Sequence, residues 1–178
     1  MTMSILKIAR MGHPVLRQTA DTVNEPTAPH IQSLIENMIE TMEDANGTGL
    51  AAPQIHISLR IVVFFVDHNT SADNQNGEDV PLTVLINPTI KPLSEEKELG
   101  WEGCLSVPGL IGKVPRHTKI RYSATAPDGS IIDRIAEDFH ARVVQHECDH
   151  LDGILYPQRM QDLSLLMFRD EMRYGIPE

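Results

Sequence analysis

The chain has 178 residues, 41% of them hydrophobic and 22% charged, which supplies one domain-sized core and too little length for two independently packed ones. A formal charge of −10 with no polybasic block argues against nucleic acid as a partner, and no apolar run reaches the roughly 18 to 20 residues of a membrane span. The N-terminal stretch Met1–Gln18 lacks the layout of a secretion signal, and two cysteines are too few for a disulfide scaffold, so the expectation is a cytoplasmic protein with reduced thiols.

From about Thr27 to Ala45, Ile31, Leu34, Ile35, Met38, Ile39 and Met42 recur at helical spacing, with Glu36, Glu40 and Glu43 off that stripe. This predicts an amphipathic helix, with Pro26 and Pro29 suited to its first turn and Asn46-Gly47 suited to stop it. The following stretch, Gly47-Thr48-Gly49-Leu50-Ala51-Ala52-Pro53-Gln54, is rich in small residues and lets backbone come close to another group. It lacks the Lys-Ser/Thr of a phosphate loop and the three-glycine dinucleotide spacing, so a nucleotide is not the expected ligand.

Arg60 to Val66 and Thr83 to Asn87 read as strands flanking a solvated polar loop, Asp67 to Asp79. Glu102 to Ser106, with Gly100, Gly103 and Pro108 around it, reads as a constrained extended segment. His117 to Thr125 alternates, with Ile120, Tyr122 and Ala124 on one face, and the turn Pro127-Asp128-Gly129 predicts a hairpin with Ile131 to Ile135. Glu137 to Leu151 has helical length and ends at Gly153, and Asp162 to Arg173 predicts a short C-terminal amphipathic helix stopped by Gly175 and Pro177.

Within the second long helix, His146-Glu147-Cys148-Asp149-His150 places two imidazoles one turn apart on the same face, where they can share a metal. Such a site needs a third ligand: another His, a downstream Glu or a Cys thiolate. The position of a third His is Tyr156, and Glu171 sits on a short terminal segment without a supporting lobe. Cys148 is rotated about 200° from either His and reads as a buried small hydrophobe. Cys104 is left to close a Cys-His-His site.

Taken together, Gly47 to Gln54, Glu102 to Ser106 and Gln145 to His150 resemble, in order and spacing, the three signature motifs of the peptide deformylases, and the likeness runs from Ile8 to about Leu155. The resemblance implies an α+β fold in which small antiparallel β-sheets surround a central helix bearing the His-Glu-x-x-His motif, as one catalytic domain spanning 1–178. It implies that Cys104, His146 and His150 hold one divalent ion, Fe2+ in the cell, with Zn2+, Ni2+ or Co2+ as alternatives. The implied reaction is removal of the N-formyl group from the initiator formylmethionine of nascent chains, with release of formate. Glu147 would move the proton, while Gln54 and the backbone N–H of Leu105 would stabilise the oxyanion.

The same resemblance places Gly47, Thr48, Gly49, Glu102 and Gly103 along the substrate, with peptide binding in the manner of strand addition near Gly49 and Gly103. Phe139 and Val143 share the helix face of His146 and suit a pocket for the methionine side chain, and Arg142 is expected at its rim with the charge in water. The implied partners are nascent formylmethionyl peptides and the ribosome near its exit tunnel, in a bacterial cytoplasm ahead of an organelle, with no membrane and no direct nucleic-acid contact. Two positions depart from the family pattern: Thr48 replaces a bulky aliphatic residue, and Ile111 stands where some bacterial members carry an arginine. A zinc endopeptidase with another third ligand and a non-enzymatic metal-binding module are the rival readings; cleavage of internal bonds in unformylated peptides would favour the first, and loss of Gln54 or Glu147 would have favoured the second.

Overall fold

The computed structural model describes residues 4–67 and 79–175, so the predicted polar loop lies almost wholly outside the described residues. A five-stranded antiparallel sheet has the order β1-β2-β3-β6-β7, formed by β1 (Gly49–Ala51), β2 (Ile61–Val66), β3 (Val80–Pro92), β6 (Lys119–Thr125) and β7 (Ile131–Glu137). A three-stranded antiparallel sheet joins β4 (Lys97–Cys104), β5 (Val107–His117) and β8 (Met167–Phe168). Two α-helices, α1 (Pro29–Asp44) and α2 (Asp138–Leu151), complete the α+β architecture.

The uninterrupted apolar run of β2 has a structural cause, because the strand is covered on both faces. Val62, Phe64 and Val66 point into a core shared with Ala141, Val144 and Leu151 of α2. Ile61 and Val63 point the other way, into a core with Ile31, Ile35, Met38 and Met42 of α1. Each Val, Ile, Leu, Met or Phe side chain among these, once fully buried, contributes about 1.5 to 3 kcal/mol of transfer free energy. The period of two therefore distributes one strand between two helices.

α1 begins with Pro29 in its first turn and ends where Asn46 adopts φ +52°, and the Gly47 N–H donates to the Met42 carbonyl at 2.9 Å. α2 touches β1 and β2 of one sheet and β5 of the other. Its exit turns at Gly153, φ +72°, where a Cβ would sit 2.7 Å from the backbone of Arg17. The β6–β7 hairpin pairs Thr125 with Ile131 around Gly129, φ +86°, and Asp128 accepts from the Ser130 N–H at 2.9 Å.

The predicted C-terminal helix is corrected by the structure. Leu163–Leu165 and Arg169–Tyr174 are 3-10 turns, and between them Met167 and Phe168 pair with Ile111 and Leu110 of β5. A segment this short gains little from an isolated helix, whose nucleus is costly, and the open edge of β5 offers its backbone immediate partners.

His140 lies in the core on α2, its ring edge-on to Tyr122 with centroids 5.6 Å apart and 6.0 Å from Phe64. Burial and the nearby Arg134 push its pKa down to about 4. The unfolded chain takes up this proton near pH 6.5 and the folded chain does not, so stability falls as pH drops from about 6.5 to about 4 and no further below that. His140→Phe should flatten unfolding free energy over this window, by up to about 3 kcal/mol, in urea titrations at several pH values. Equal slopes for the two proteins would remove His140 as the cause.

Candidate metal centre

The helical pitch of α2 brings the His146 and His150 rings to 5.0 Å between centroids. Cys104, the last residue of β4, lays its Sγ 3.3 Å from His150 Nε2. One ligand atom from each of Cys104, His146 and His150 lies within 4.8 Å of the others, the one such trio among the described residues. Burial alone pushes the Cys104 thiol up, but the His150 and His146 rings beside it overcome that and hold it well below the ordinary thiol range. A thiolate and two imidazoles are a donor set suited to a divalent transition ion, so the residues fit the metal that the sequence implies.

The ligands are braced from behind. His146 Nδ1 is 2.8 Å from Glu102 Oε2, which leaves Nε2 to face the other donors. Arg116 donates to both oxygens of Glu102 at 2.9 and 3.0 Å, and also to Asp149 at 2.6 Å. Arg159 clasps Asp149 from its other side, and Tyr156, at the vacant third-His position, stacks on His146 with centroids 6.3 Å apart. Burial raises the Glu102 carboxyl, but hydrogen bonds from His146 and Arg116 outweigh it and keep the group well below the usual carboxylate range. The sequence does not mark Arg116, Arg159 and Tyr156 as parts of the site, since only the pairing of β4 with β5 and the turn after α2 bring them there, and Asp149, though inside α2 beside His150, gets its role only from those two arginines.

Arg142 needs a correction. It is buried instead of snorkelling, with Nη1 donating to the Val114 carbonyl at 2.8 Å and to Glu102 at 3.0 Å, and Nη2 to the Glu98 carbonyl at 2.8 Å. Its guanidinium lies so close to Gly100 that a Cβ there would be 2.6 Å from Cζ. A charge can be buried here because its donors meet carbonyls and a shared carboxylate. The Glu102 carboxylate is likewise committed to His146 and the two arginines.

Next to the ligands lies Glu147, buried, with Oε2 meeting no hydrogen-bond partner. Burial raises its pKa, and the carboxylate packs on Gly49, where a Cβ would lie 2.6 Å from the carboxyl carbon. Gln54 is buried in a 3-10 turn, Ala52–Ile55. Its Oε1 accepts from the Ala51 N–H at 2.8 Å, which turns the amide NH2 toward Ser106 Oγ at 3.1 Å and Cys104 Sγ at 3.5 Å. Leu105 packs on Gly47, where a Cβ would lie 2.8 Å from Cδ1.

Cys104, His146, Glu147, Gln54 and Leu105 open on one cleft of about 790 Å3, and His150 closes the trio from the buried side. Its walls include Gly47, Thr48, Gly49, Gln54, Glu102, Gly103, Cys104, Leu105, Phe139, Arg142, Val143, His146 and Glu147. Cys148 stays in the core, where burial pushes its thiol up, and Glu171 is no part of the trio.

A family model described as polypeptide deformylase matches residues 5–165. The chain belongs to the polypeptide deformylase family. This deformylase-family chain is 54% identical over 173 residues to peptide deformylase 2 of Ralstonia nicotianae, covering 97% of each chain. It is 49% identical over 171 residues to peptide deformylase 1 of Nitrosomonas europaea, covering 96% of each. A crystal structure of the class I type b peptide deformylase of Acinetobacter baumannii with Met-Ala-Ser bound superposes with a TM-score of 0.82 at 34% identity, over 89% of this chain and 100% of that one. Among the described residues, no helix of this family member is long and apolar enough to cross a membrane.

Proposed function

We propose that the chain, acting as one catalytic domain, hydrolyses the N-formyl group of formylmethionine at the start of nascent polypeptides and releases formate. One observation carries the reading: Cys104 and His146, the unpartnered carboxylate of Glu147 and the oriented amide of Gln54 line a single cleft, with His150 completing the ligand trio beside Cys104. Cys104, His146 and His150 would hold one divalent ion, Fe2+ in the cell with Zn2+, Ni2+ or Co2+ able to replace it, and when bound it supplies the Lewis acidity that makes water a nucleophile near neutral pH.

The chain's own groups do the rest. Glu147 takes a proton from the attacking water and delivers it to the amine nitrogen as the C–N bond breaks, a task suited to a carboxylate whose pKa burial has raised. The Gln54 NH2 and the Leu105 N–H donate to the carbonyl oxygen as it gains charge, and the bond from Ala51 holds the Gln54 amide in that orientation beforehand. Phe139 and Val143 receive the methionine side chain, and the peptide runs extended past Gly47, Thr48, Gly49 and Gly103. Working on nascent chains places the enzyme in a bacterial cytoplasm near the ribosomal exit tunnel.

The test is anaerobic release of formate from a short formyl-Met peptide by protein loaded with ferrous iron, beside zinc-loaded protein. Rapid release supports the reading, and none from metal-replete protein overturns it. Cys104→Ser should lower metal occupancy sharply at matched metal concentration, because a hydroxyl is a far poorer ligand than a thiolate. Unchanged occupancy by elemental analysis would place the third ligand elsewhere.

A further inference from the structure

Two cationic side chains line the cleft, Arg142 and Arg169. Arg142 is spent on Glu102 and three backbone carbonyls. Arg169 is exposed and, among the described residues, makes no hydrogen bond or ion pair.

Its position is set by the strand that replaces the predicted helix. β8 pairs Met167 with Ile111, and Ile111 in turn pairs with Gly103, so the chain leaving β8 passes back over the β4–β5 hairpin. The Arg169 guanidinium then rests on Gly103, with Nη2 2.8 Å from where a Cβ would be. A side chain at 103 would displace it. Successive strand residues point to opposite faces, so Gly103 and Trp101 share a face opposite that of Glu102. On that face Lys113, the cross-strand partner of Trp101, holds its Nζ 5.4 Å from the indole centroid. Asp170, the next residue, also lines the cleft, and no ion pair joins it to Arg169.

At this outer end Arg169 and, on the adjoining strand face, Lys113 bring two positive charges against the one negative charge of Asp170, on a chain of net charge −10. Gly103 adjoins the ligand Cys104, and an extended peptide advances about 3.3 Å per residue. A substrate with its formyl group at the metal trio brings its second or third residue to this end. We propose that Arg169, supported by Lys113, reads negative charge there, as an acidic side chain or as the terminal carboxylate of a short peptide. The inference rests on the deformylase reading for the direction of the peptide.

The experiment compares formyl-Met-Ala-Xaa amides, with Xaa as Glu, Gln or Lys, at low ionic strength. The amide removes the terminal carboxylate, and a second Gln peptide with a free acid tests that source separately. For the native chain kcat/KM should be about two- to fivefold higher for Glu than for Lys, residing in KM and compressed by added salt. Arg169→Ala should erase the difference and Arg169→Glu should invert it, an inversion that loss of structure cannot produce. Titration with the deformylated products Met-Ala-Glu and Met-Ala-Lys amides should give the same order of affinity without turnover. Equal values for the native chain, or a Glu preference kept by Arg169→Glu, would overturn the assignment. A binding order that persists with no formate released would uphold the subsite and remove the deformylase reading instead.

Discussion

Glu147→Ala should lower kcat by a factor of about 10² to 10⁴ and leave the metal in place. None of the three ligands is touched by the change, whereas the carboxylate that faces the cleft without a partner is lost. The packing of that carboxylate on Gly49 suggests a second variant, because Ala also opens space there. Glu147→Gln keeps the volume and removes only the ability to take and return a proton, so it should be nearly as slow. Formate release with metal content measured on the same samples separates the two effects. Near-normal turnover in either variant would strip Glu147 of its role, and loss of metal in Glu147→Ala alone would assign it to packing.

Glu102→Ala should be the most damaging change to the framework. The carboxylate receives Arg116 twice, Arg142 once and His146 once, and all four groups are buried. Removing it leaves Arg116 with Asp149 as its one carboxylate and Arg142 with backbone carbonyls alone, a loss of about 3 kcal/mol of stability, at the lower end for breaking a buried ionic arrangement from one side because both guanidinium ions keep acceptors. It also frees the His146 ring to rotate, which should weaken metal binding roughly 10- to 100-fold. Glu102→Gln, which keeps an acceptor but not the charge, should fall between. Urea unfolding of the metal-free protein reads the first effect and competition with a chelator reads the second; stability within 1 kcal/mol of the native chain, on the order of an exposed ion pair, would mean that water replaces the carboxylate.

Much of the site is legible in the sequence because its signals are local. The i, i+4 spacing of His146 and His150 becomes adjacency as soon as the segment is helical. Elimination among the possible third ligands leaves Cys104, the resemblance to the deformylase motifs adds Gln54, and the fold brings both beside the histidine pair. α1, α2 and the β6–β7 hairpin are legible for the same reason, through apolar period and turn chemistry over a few residues. β1 is not, because Gly49-Leu50-Ala51 is too short and too small to show a period, and it is a strand only because β2 offers it a partner.

The remaining features depend on contacts between distant segments. Arg142 reads as a snorkelling rim residue on its own helix, and it is buried because β4 and β5 arrive with Glu102 and free carbonyls to match its donors. Asp162 to Arg173 has a weak helical pattern, which lost to the open edge of β5, and that outcome is what carries Arg169 to Gly103. By itself the sequence determined which side chains could do chemistry and which segments carry their own period, since both follow from residue type and near spacing. The tertiary structure alone decided which charges are buried, paired or left free at the mouth of the cleft, since the cost of burying a charge depends on partners supplied by other segments of the chain.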